Sequence, residues 1–294
     1  MGNFEWGTRT YIMGILNLTP DSFSGDGLIR SVSPDQPNGD TLTNALNQAR
    51  SFVSSGADIL DIGGESTRPG AQPVSAVEEI QRVIPVLQSI VAEFPTVTVS
   101  IDTYRASVAE AALQAGARMV NDVWGFKADP DLAGVVARYN VPVVLMHNRS
   151  SWVHAEIQSR LGGRYIGMPY ENLLEDVKRE LLESVNIAHV AGISDGNILL
   201  DPGIGFGKTV EQNLELLNRL GEIKSLGYPV LVGPSRKSFI GFTLNLPPDQ
   251  RLEGTAAAVA IGIARGADVI RVHDVAFMAR VVKMADAITR GKPS

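Results

Sequence analysis

The sequence has no cysteine among its 294 residues. This absence excludes a disulfide framework, a zinc site built from thiolates and a cysteine nucleophile. Long apolar runs are also missing, since the first one, residues 12–16, is far too short to cross a bilayer. The first residues show no basic segment followed by a long apolar core. The sequence therefore predicts a cytoplasmic protein without a membrane segment.

Runs of positive charge are missing as well. The chain carries 26 Lys and Arg against 32 Asp and Glu, a formal net charge of -6, and no basic cluster of the kind that binds nucleic acid. We therefore expect no nucleic-acid partner. A few basic residues nevertheless stand beside glycine-rich or strand-like segments, namely Arg68, Lys237, Arg271 and His273. Their placement against an acidic background indicates a small anionic substrate.

A repeated pattern occupies the chain: a short apolar run ends in a polar residue or a glycine, and a loop and a helix-like stretch follow. The runs cover residues 12–16, 59–60, 97–101, 119–120, 143–146, 198–200, 230–232 and 269–272. Eight such units predict a parallel (β/α)8 TIM barrel, which forms one domain over residues 1–294. Because the strand ends of a parallel barrel meet on one face, we expect their polar residues to converge there.

Some connecting segments depart from this regular pattern. The loops after the first and second strands, residues 17–40 and 63–70, are rich in Gly, Pro and Asn, and we expect them to be mobile and functional. The segment 148–168 has no strong period, and the sequence predicts no structure for it. Residues 210–226 predict one helix with a charged outer face.

The segment 201–208, Asp-Pro-Gly-Ile-Gly-Phe-Gly-Lys, follows an apolar strand. It is not a P-loop, because Pro202 stands where a glycine is needed and only three residues separate Gly203 from Gly207. Its glycine spacing also differs from the dinucleotide-binding fingerprint. Asp201 is instead a carboxylate at the end of a rigid strand, beside a loop whose backbone can approach a ligand closely.

Carboxylates at strand ends have two interpretations. An Asp in this position is commonly a helix N-cap, which is the favoured interpretation for Asp61 and Asp122. It is weaker for Asp201, which precedes a proline, and for Asp102, which shares its strand-end level with Asn121. Asp102, Asn121 and Asp201 together offer hydrogen-bond acceptors and a donor to the edge of a guanidine-like heterocycle.

Basic residues at strand ends predict an anion site. Arg271 and His273 are two residues apart, so they point to the same side of a strand and can grip a phosphate. Lys237 follows the seventh strand, near which barrels commonly bind anions. A zinc site at His147 or His273 is disfavoured, because no further ligand stands at the usual spacing.

Seven segments in this order resemble dihydropteroate synthases. They are residues 13–24, 61–70, 100–103, 120–122, 200–208, 233–238 and 271–273, spread over nearly the whole chain. The resemblance implies a barrel enzyme of folate biosynthesis that joins (7,8-dihydropterin-6-yl)methyl diphosphate to 4-aminobenzoate with Mg2+, giving 7,8-dihydropteroate and pyrophosphate. It also implies a homodimer in which sulfonamides compete with 4-aminobenzoate.

The resemblance further implies which residues form the site. The pterin pocket falls on Asp102, Asn121, Met146, Asp201, Gly233, Lys237 and Arg271. The pyrophosphate site falls on Asn17, Thr67, Arg68, Arg271 and His273, with Asn17 also holding Mg2+. The aminobenzoate pocket falls on Phe23, Thr67, Pro69, Phe206, Lys237 and Ser238. The residues predicted to be catalytic are Asp26, Asp102, Asp201, Lys237 and Arg271.

The first loop departs from the family pattern. Many members have Phe-Ser-Asp-Gly-Gly, whereas this chain has Phe-Ser-Gly-Asp-Gly at residues 23–27, so the carboxylate is displaced by one position. We predict that Asp26 faces the pterin cation and that Asp21 makes a local turn. Two alternatives are a pterin-binding methyltransferase domain, which has no diphosphate to hold, and an inactive paralogue that acts as a binding partner. The basic residues disfavour the first, and the presence of every expected site residue disfavours the second.

Overall fold

The computed structural model describes residues 4–19, 39–66, 73–151, 155–165 and 167–291. The strands are β1 (Tyr11–Asn17), β2 (Ile59–Gly63), β3 (Thr98–Asp102), β4 (Met119–Asp122), β5 (Val143–Met146), β6 (Ala155–Gln158), β7 (Gly162–Tyr165), β8 (Ile198–Asp201), β9 (Leu231–Val232) and β10 (Val269–Val272). The helices are α1 (Gly39–Ser54), α2 (Ala76–Glu93), α3 (Ala106–Gln114), α4 (Leu132–Tyr139), α5 (Leu173–Val190), α6 (Val210–Asn218), α7 (Leu220–Lys224), α8 (Ser238–Leu244), α9 (Leu252–Ala264) and α10 (Val275–Arg290).

Eight of the strands form one parallel sheet in the order β8-β5-β4-β3-β2-β1-β10-β9. The two end strands meet through a parallel bridge between Leu200 and Val230, where the Leu200 N–H donates to the Pro229 carbonyl over 2.9 Å. Helices lie between successive strands of this sheet. The predicted (β/α)8 barrel is therefore confirmed, and each of the eight apolar runs is one of its strands.

Side-chain alternation divides the barrel interior into layers. The apolar part of the interior, near the amino ends of the strands, consists of Tyr11, Met13, Ile59, Met119, Val144, Leu199, Leu231 and Val269. Phe4 and Trp6 pack against it. Residues two positions further along a strand point to the same side, so the next layer contains Asp61, Asn121, Met146, Asp201, Gly233 and Arg271. An apolar floor thus carries a mainly polar layer at the carboxyl ends of the strands.

The segment without a predicted structure contains an antiparallel hairpin. Strands β6 and β7 pair Ala155 with Tyr165 and Gln158 with Gly162, apart from the barrel sheet. The prediction of one helix over residues 210–226 is wrong, because the chain breaks at Arg219 between α6 and α7. The break allows both Leu220 and Ile223 of the second helix to be fully buried.

The two long loops lie largely outside the described residues, which omit 20–38 and 67–72. Their mobility stays a prediction. Across the ranges that are described, no helix combines the length and the apolar character needed to cross a membrane.

Candidate active site

Arg271 lies at the centre of the polar layer. Its Nε donates to Asp61 Oδ2 over 2.6 Å, and its Nη2 donates to Asp102 Oδ2 over 2.5 Å. Asn121 Nδ2 donates to the same Asp61 oxygen over 3.0 Å. Asp61 is fully buried inside β2 and pairs with a guanidinium, so its interpretation as a helix N-cap is wrong. The layer is an ion-paired network that joins three neighbouring strands and β10.

Burial dominates the titration of Asp102. It raises the pKa of this carboxyl to about 7, although Arg271 lowers it, and the nearby carboxylates of Asp61 and Glu79 raise it further. One guanidinium therefore faces two carboxylates, which repel each other. Asp122 takes no part in this pairing, because its oxygens accept the backbone N–H groups of Trp124 and Phe126 over 2.8 and 2.6 Å. The interpretation of Asp122 as a helix N-cap is therefore wrong, because its carboxylate caps the turn that follows β4 and no helix begins there.

Asp201 is held by the glycine-rich loop that follows it. Its Oδ1 accepts the Gly203 N–H over 2.7 Å, and its side chain is buried, which raises its pKa. Gly203 has a φ of +72°, and a Cβ atom there would stand 1.8 Å from the His147 carbonyl oxygen. At Gly205 a Cβ would stand 2.8 Å from Cδ of Lys237. Glycine is required in this loop because the backbone packs directly against its neighbours.

Lys237 reaches the loop from the other side of the site. Its Nζ donates to the Ile204 carbonyl and lies 4.5 Å from the centroid of the Phe206 ring. Burial lowers the pKa of Lys237 to about 8, while Asp201 opposes this shift. The ammonium, the aromatic ring and the Asp201 carboxylate are thus coupled within one site.

His273 and Ser235 form a second polar pair, at the ends of β10 and β9. The Ser235 hydroxyl and His273 Nδ1 are 2.9 Å apart, and the His273 backbone N–H donates to the same hydroxyl over 3.2 Å. Arg236 binds the Asp274 carboxylate through two hydrogen bonds of 2.9 and 2.5 Å. Of the two basic residues in this loop, Lys237 therefore faces the loop of Asp201, while Arg236 makes an ion pair.

A cavity of about 340 Å3 opens above the polar layer. Among its lining residues are members of all three predicted subsites: Asn17, Asp102, Phe206, Lys237, Ser238, Arg271 and His273. The buried residues Asn121, Met146 and Asp201 lie in the polar layer, and Gly233 shares their level. Phe23, Asp26, Thr67, Arg68 and Pro69, together with Asp21, lie outside the described residues.

Sequence reasoning missed a buried network behind the glycine-rich loop. Lys208 Nζ lies 3.0 Å from His147 Nδ1 and donates to the Gly203 and Phe206 carbonyls over 3.0 Å each. His147 Nε2 is 3.1 Å from a Glu180 oxygen. Burial lowers the pKa of Lys208 to about 7 and that of His147 to about 4. The one sequence feature that indicates this network is Lys208 itself, which directly follows the three alternating glycines of the loop.

The oxygen donors at the strand ends fit a magnesium ion. Asn17 Oδ1 and Asp102 Cβ each lie 3.5 Å from the position that a Cβ on Gly63 would occupy, so the two side chains are neighbours. Among the described side chains, no three His, Asp or Glu residues form a group that could hold a metal. Mg2+ often uses one or two protein oxygens together with substrate phosphates and waters, and this donor set suits that arrangement.

The fold and this cavity define a (β/α)8 barrel with a polar, partly basic site at the carboxyl ends of its strands. The sequence model of the pterin binding enzyme family matches residues 13–273, and the chain belongs to that family. The dihydropteroate synthase of Clostridium beijerinckii is 51% identical, over 98% of this chain and 97% of the relative.

Solved structures of dihydropteroate synthases are similar as well. The Clostridium difficile enzyme, crystallised in the presence of pteroic acid, is 44% identical with a TM-score of 0.85, covering 98% of this chain and 99% of that one. The Yersinia pestis enzyme in a sulfonamide drug complex is 38% identical with a TM-score of 0.83, covering 97% and 95% of the two chains.

Proposed function

We propose that this chain is a transferase with dihydropteroate synthase activity. It joins 4-aminobenzoate to the methylene carbon of (7,8-dihydropterin-6-yl)methyl diphosphate and releases pyrophosphate. The observation that carries this proposal is one cavity that lies on the polar layer, with its carboxylates and amide, and that is lined by Lys237, Arg271 and His273. The barrel that holds this cavity is proposed to be a single pterin-binding domain.

The pterin ring is proposed to bind in the polar layer. Its ring edge presents several N–H donors, which suit the acceptors of Asp102 and Asp201, while Asn121 and Lys237 add donors. Met146 and Gly233 lie at the same level and leave room for a flat ring. Asp201 is fixed by the Gly203 N–H, so its second carboxylate oxygen is pre-positioned for the heterocycle.

The diphosphate is proposed to lie against Arg271 and His273. As the carbon–oxygen bond breaks, negative charge grows on the leaving pyrophosphate, and cationic donors placed there stabilise that charge. The electron-rich pterin delocalises the positive charge left on the methylene carbon. A Mg2+ ion held by Asn17 would offset further charge on the phosphates. Thr67 and Arg68 stay predicted partners of the same anion.

The aminobenzoate is proposed to bind on the outer side of the cavity, next to Phe206, Lys237 and Ser238. Its amine nitrogen attacks the methylene carbon and then loses a proton. Sulfonamides carry a similar aromatic amine, so they compete for this subsite. Phe23, Thr67 and Pro69 are predicted to complete it, and Asp26 is predicted to face the methylene cation.

The direct test is pyrophosphate release by the purified protein with both substrates and Mg2+. We expect release that requires 4-aminobenzoate and falls when a sulfonamide is added. A mixture without 4-aminobenzoate is the control for hydrolysis. Binding of the pterin diphosphate without release would favour an inactive paralogue, and binding of a folate without use of the diphosphate would favour a methyltransferase domain.

We further propose that the protein is a cytoplasmic homodimer, as the family resemblance suggests. Light scattering across a concentration series tests the assembly. A constant mass close to the 31.5 kDa of one chain would contradict it.

A further inference from the structure

The hairpin of β6 and β7 borders the substrate cavity. Gly162, Gly163, Arg164 and Tyr165 line the same space as Lys237 and Arg271. The hairpin follows β5 in the chain and is not part of the barrel sheet. A segment outside the barrel thus supplies one wall of the cavity, and none of its residues has a role in the function proposed above.

A buried arginine ties the hairpin to the loop of Lys237. Arg251 Nη2 donates to the carbonyl of Leu161, in the hairpin turn, over 2.7 Å. Its Nη1 donates to the carbonyl of Arg236 over 3.0 Å, and its Nε donates to that of Leu246 over 3.2 Å. Arg251 is 3% exposed, so these bonds are shielded from water. The turn of the hairpin is therefore fixed relative to the residue that precedes Lys237.

Further contacts fix the sides of the hairpin. The guanidinium carbon of Arg164 lies 4.1 Å from the centroid of the Phe242 ring in α8, and Glu156 accepts from Arg164 Nε over 2.8 Å. The buried ring of Tyr165 stacks beside Phe206 with 6.5 Å between centroids and 26° between planes. Because Lys237 Nζ also contacts the Phe206 ring, Tyr165, Phe206 and Lys237 form one row.

We propose that the hairpin is a specificity-determining wall on the aminobenzoate side of the cavity, with Tyr165 as the positioning residue that holds Phe206. This inference rests on the proposed function. A ring packed beside Phe206 restricts its rotation, so the surface offered to a second aromatic ring is pre-arranged. Loss of the Tyr165 ring frees Phe206 and widens the cavity toward the hairpin, while the pterin residues in the barrel strands stay in place.

The test compares steady-state kinetics of Tyr165→Ala, Tyr165→Leu and Tyr165→Phe, with pyrophosphate release as the readout. We expect the KM for 4-aminobenzoate to rise about tenfold in the Ala and Leu variants, with kcat and the KM for the pterin diphosphate within about twofold of wild type. Tyr165→Phe should keep the wild-type KM because it keeps the ring. Ile157→Ala is the matched control, since Ile157 lies on β6 and is 67% exposed.

Specificity supplies a second readout. Inhibition constants of unsubstituted sulfanilamide and of a sulfonamide with a bulky ring substituent are measured in parallel. The wider cavity of Tyr165→Ala should shift their ratio in favour of the bulky compound. Equal changes in both substrate KM values, an unchanged ratio, or loss of kcat alone would overturn the inference.

Arg251→Gln tests the hydrogen bonds from Arg251 to the hairpin turn and to the loop of Lys237, independently of the stacking of Tyr165 on Phe206. We expect trypsin to cut after Arg160 faster than in wild type and the KM for 4-aminobenzoate to rise. Unchanged cleavage and an unchanged KM would contradict the proposed wall. Absence of pyrophosphate release from wild type would overturn the proposed function and this inference together, whereas release with variant kinetics equal to wild type would overturn this inference alone.

Discussion

Replacing Asp201 by Asn changes the hydrogen-bonding character of one side chain and nearly preserves its shape. The amide oxygen can still accept the Gly203 N–H, which lies 2.7 Å from Oδ1, so the glycine-rich loop keeps its anchor. The second carboxylate oxygen becomes an NH2 donor, which faces the N–H donors of the pterin ring. The variant therefore isolates ligand recognition from loop structure.

The expected loss of affinity follows from the burial of this group, which is 5% exposed. A buried polar group without a suitable partner costs about 1 to 3 kcal/mol. At roughly 1.4 kcal/mol per tenfold, the pterin dissociation constant should rise about 5- to 150-fold. The variant also removes the carboxylate that opposes the lowered pKa of Lys237, so this pKa should fall below its wild-type value.

Calorimetry with the pterin diphosphate and Mg2+, in the absence of 4-aminobenzoate, measures this affinity. Asp131→Asn is the matched control, because Asp131 is exposed at the N-cap position of α4 and its side chain makes no capping hydrogen bond there. Unchanged pterin affinity in Asp201→Asn, with an unchanged urea midpoint, would refute the assignment of Asp201 to the pterin edge.

Other perturbations probe the charges of the site. Arg271→Met leaves two carboxylates without their cation, so urea unfolding at pH 7 should show a loss of about 3 kcal/mol, and a loss below about 1 kcal/mol would contradict the ion-paired layer. The Lys208 pKa is about 7 in the folded protein against an ordinary 10.5, so the unfolded state binds more protons between these values. The free energy of unfolding of the wild type should therefore rise from pH 7 to pH 9 relative to that of Lys208→Met, by at most about 1.4 kcal/mol per pH unit. If the two proteins show parallel dependence of this free energy on pH, the reasoning is refuted. Chelation of Mg2+ should stop pyrophosphate release and leave the urea midpoint unchanged, because the proposed ion is held mainly by substrate; a lowered midpoint would indicate a structural metal.

The barrel could be predicted because its strands carry their signal locally. Each strand is an apolar run buried on both faces, and each ends at a polar residue or a glycine where the chain leaves the sheet. The convergence of Asp102, Lys237 and Arg271 then follows from topology, since parallel strands end on one face. Neither step requires knowledge of side-chain contacts.

The missed features depend on contacts between distant segments. The N-cap interpretation of Asp61 used its neighbours in sequence, whereas its partner Arg271 lies 210 residues away. Strands β6 and β7 are mostly half-exposed and include Gly162 and Gly163, so they lack an apolar run. The ammonium of Lys208 contacts carbonyls of its own loop and His147, which lies 61 residues away in the chain.

The barrel closes where β8 meets β9, and the pairing between these two strands is short. Strand β9 has two residues, and the bridge from Leu200 to Val230 joins it to β8. Asp201 follows that bridge on one side, and Lys237 comes from the loop on the other. A pterin bound to both residues would connect β8 to the loop after β9. Because opening of this junction would break those contacts, pterin binding raises the free energy of local opening there. Substrate should then slow amide hydrogen exchange in β8 and β9 more than in β2 and β3, which pair along five residues.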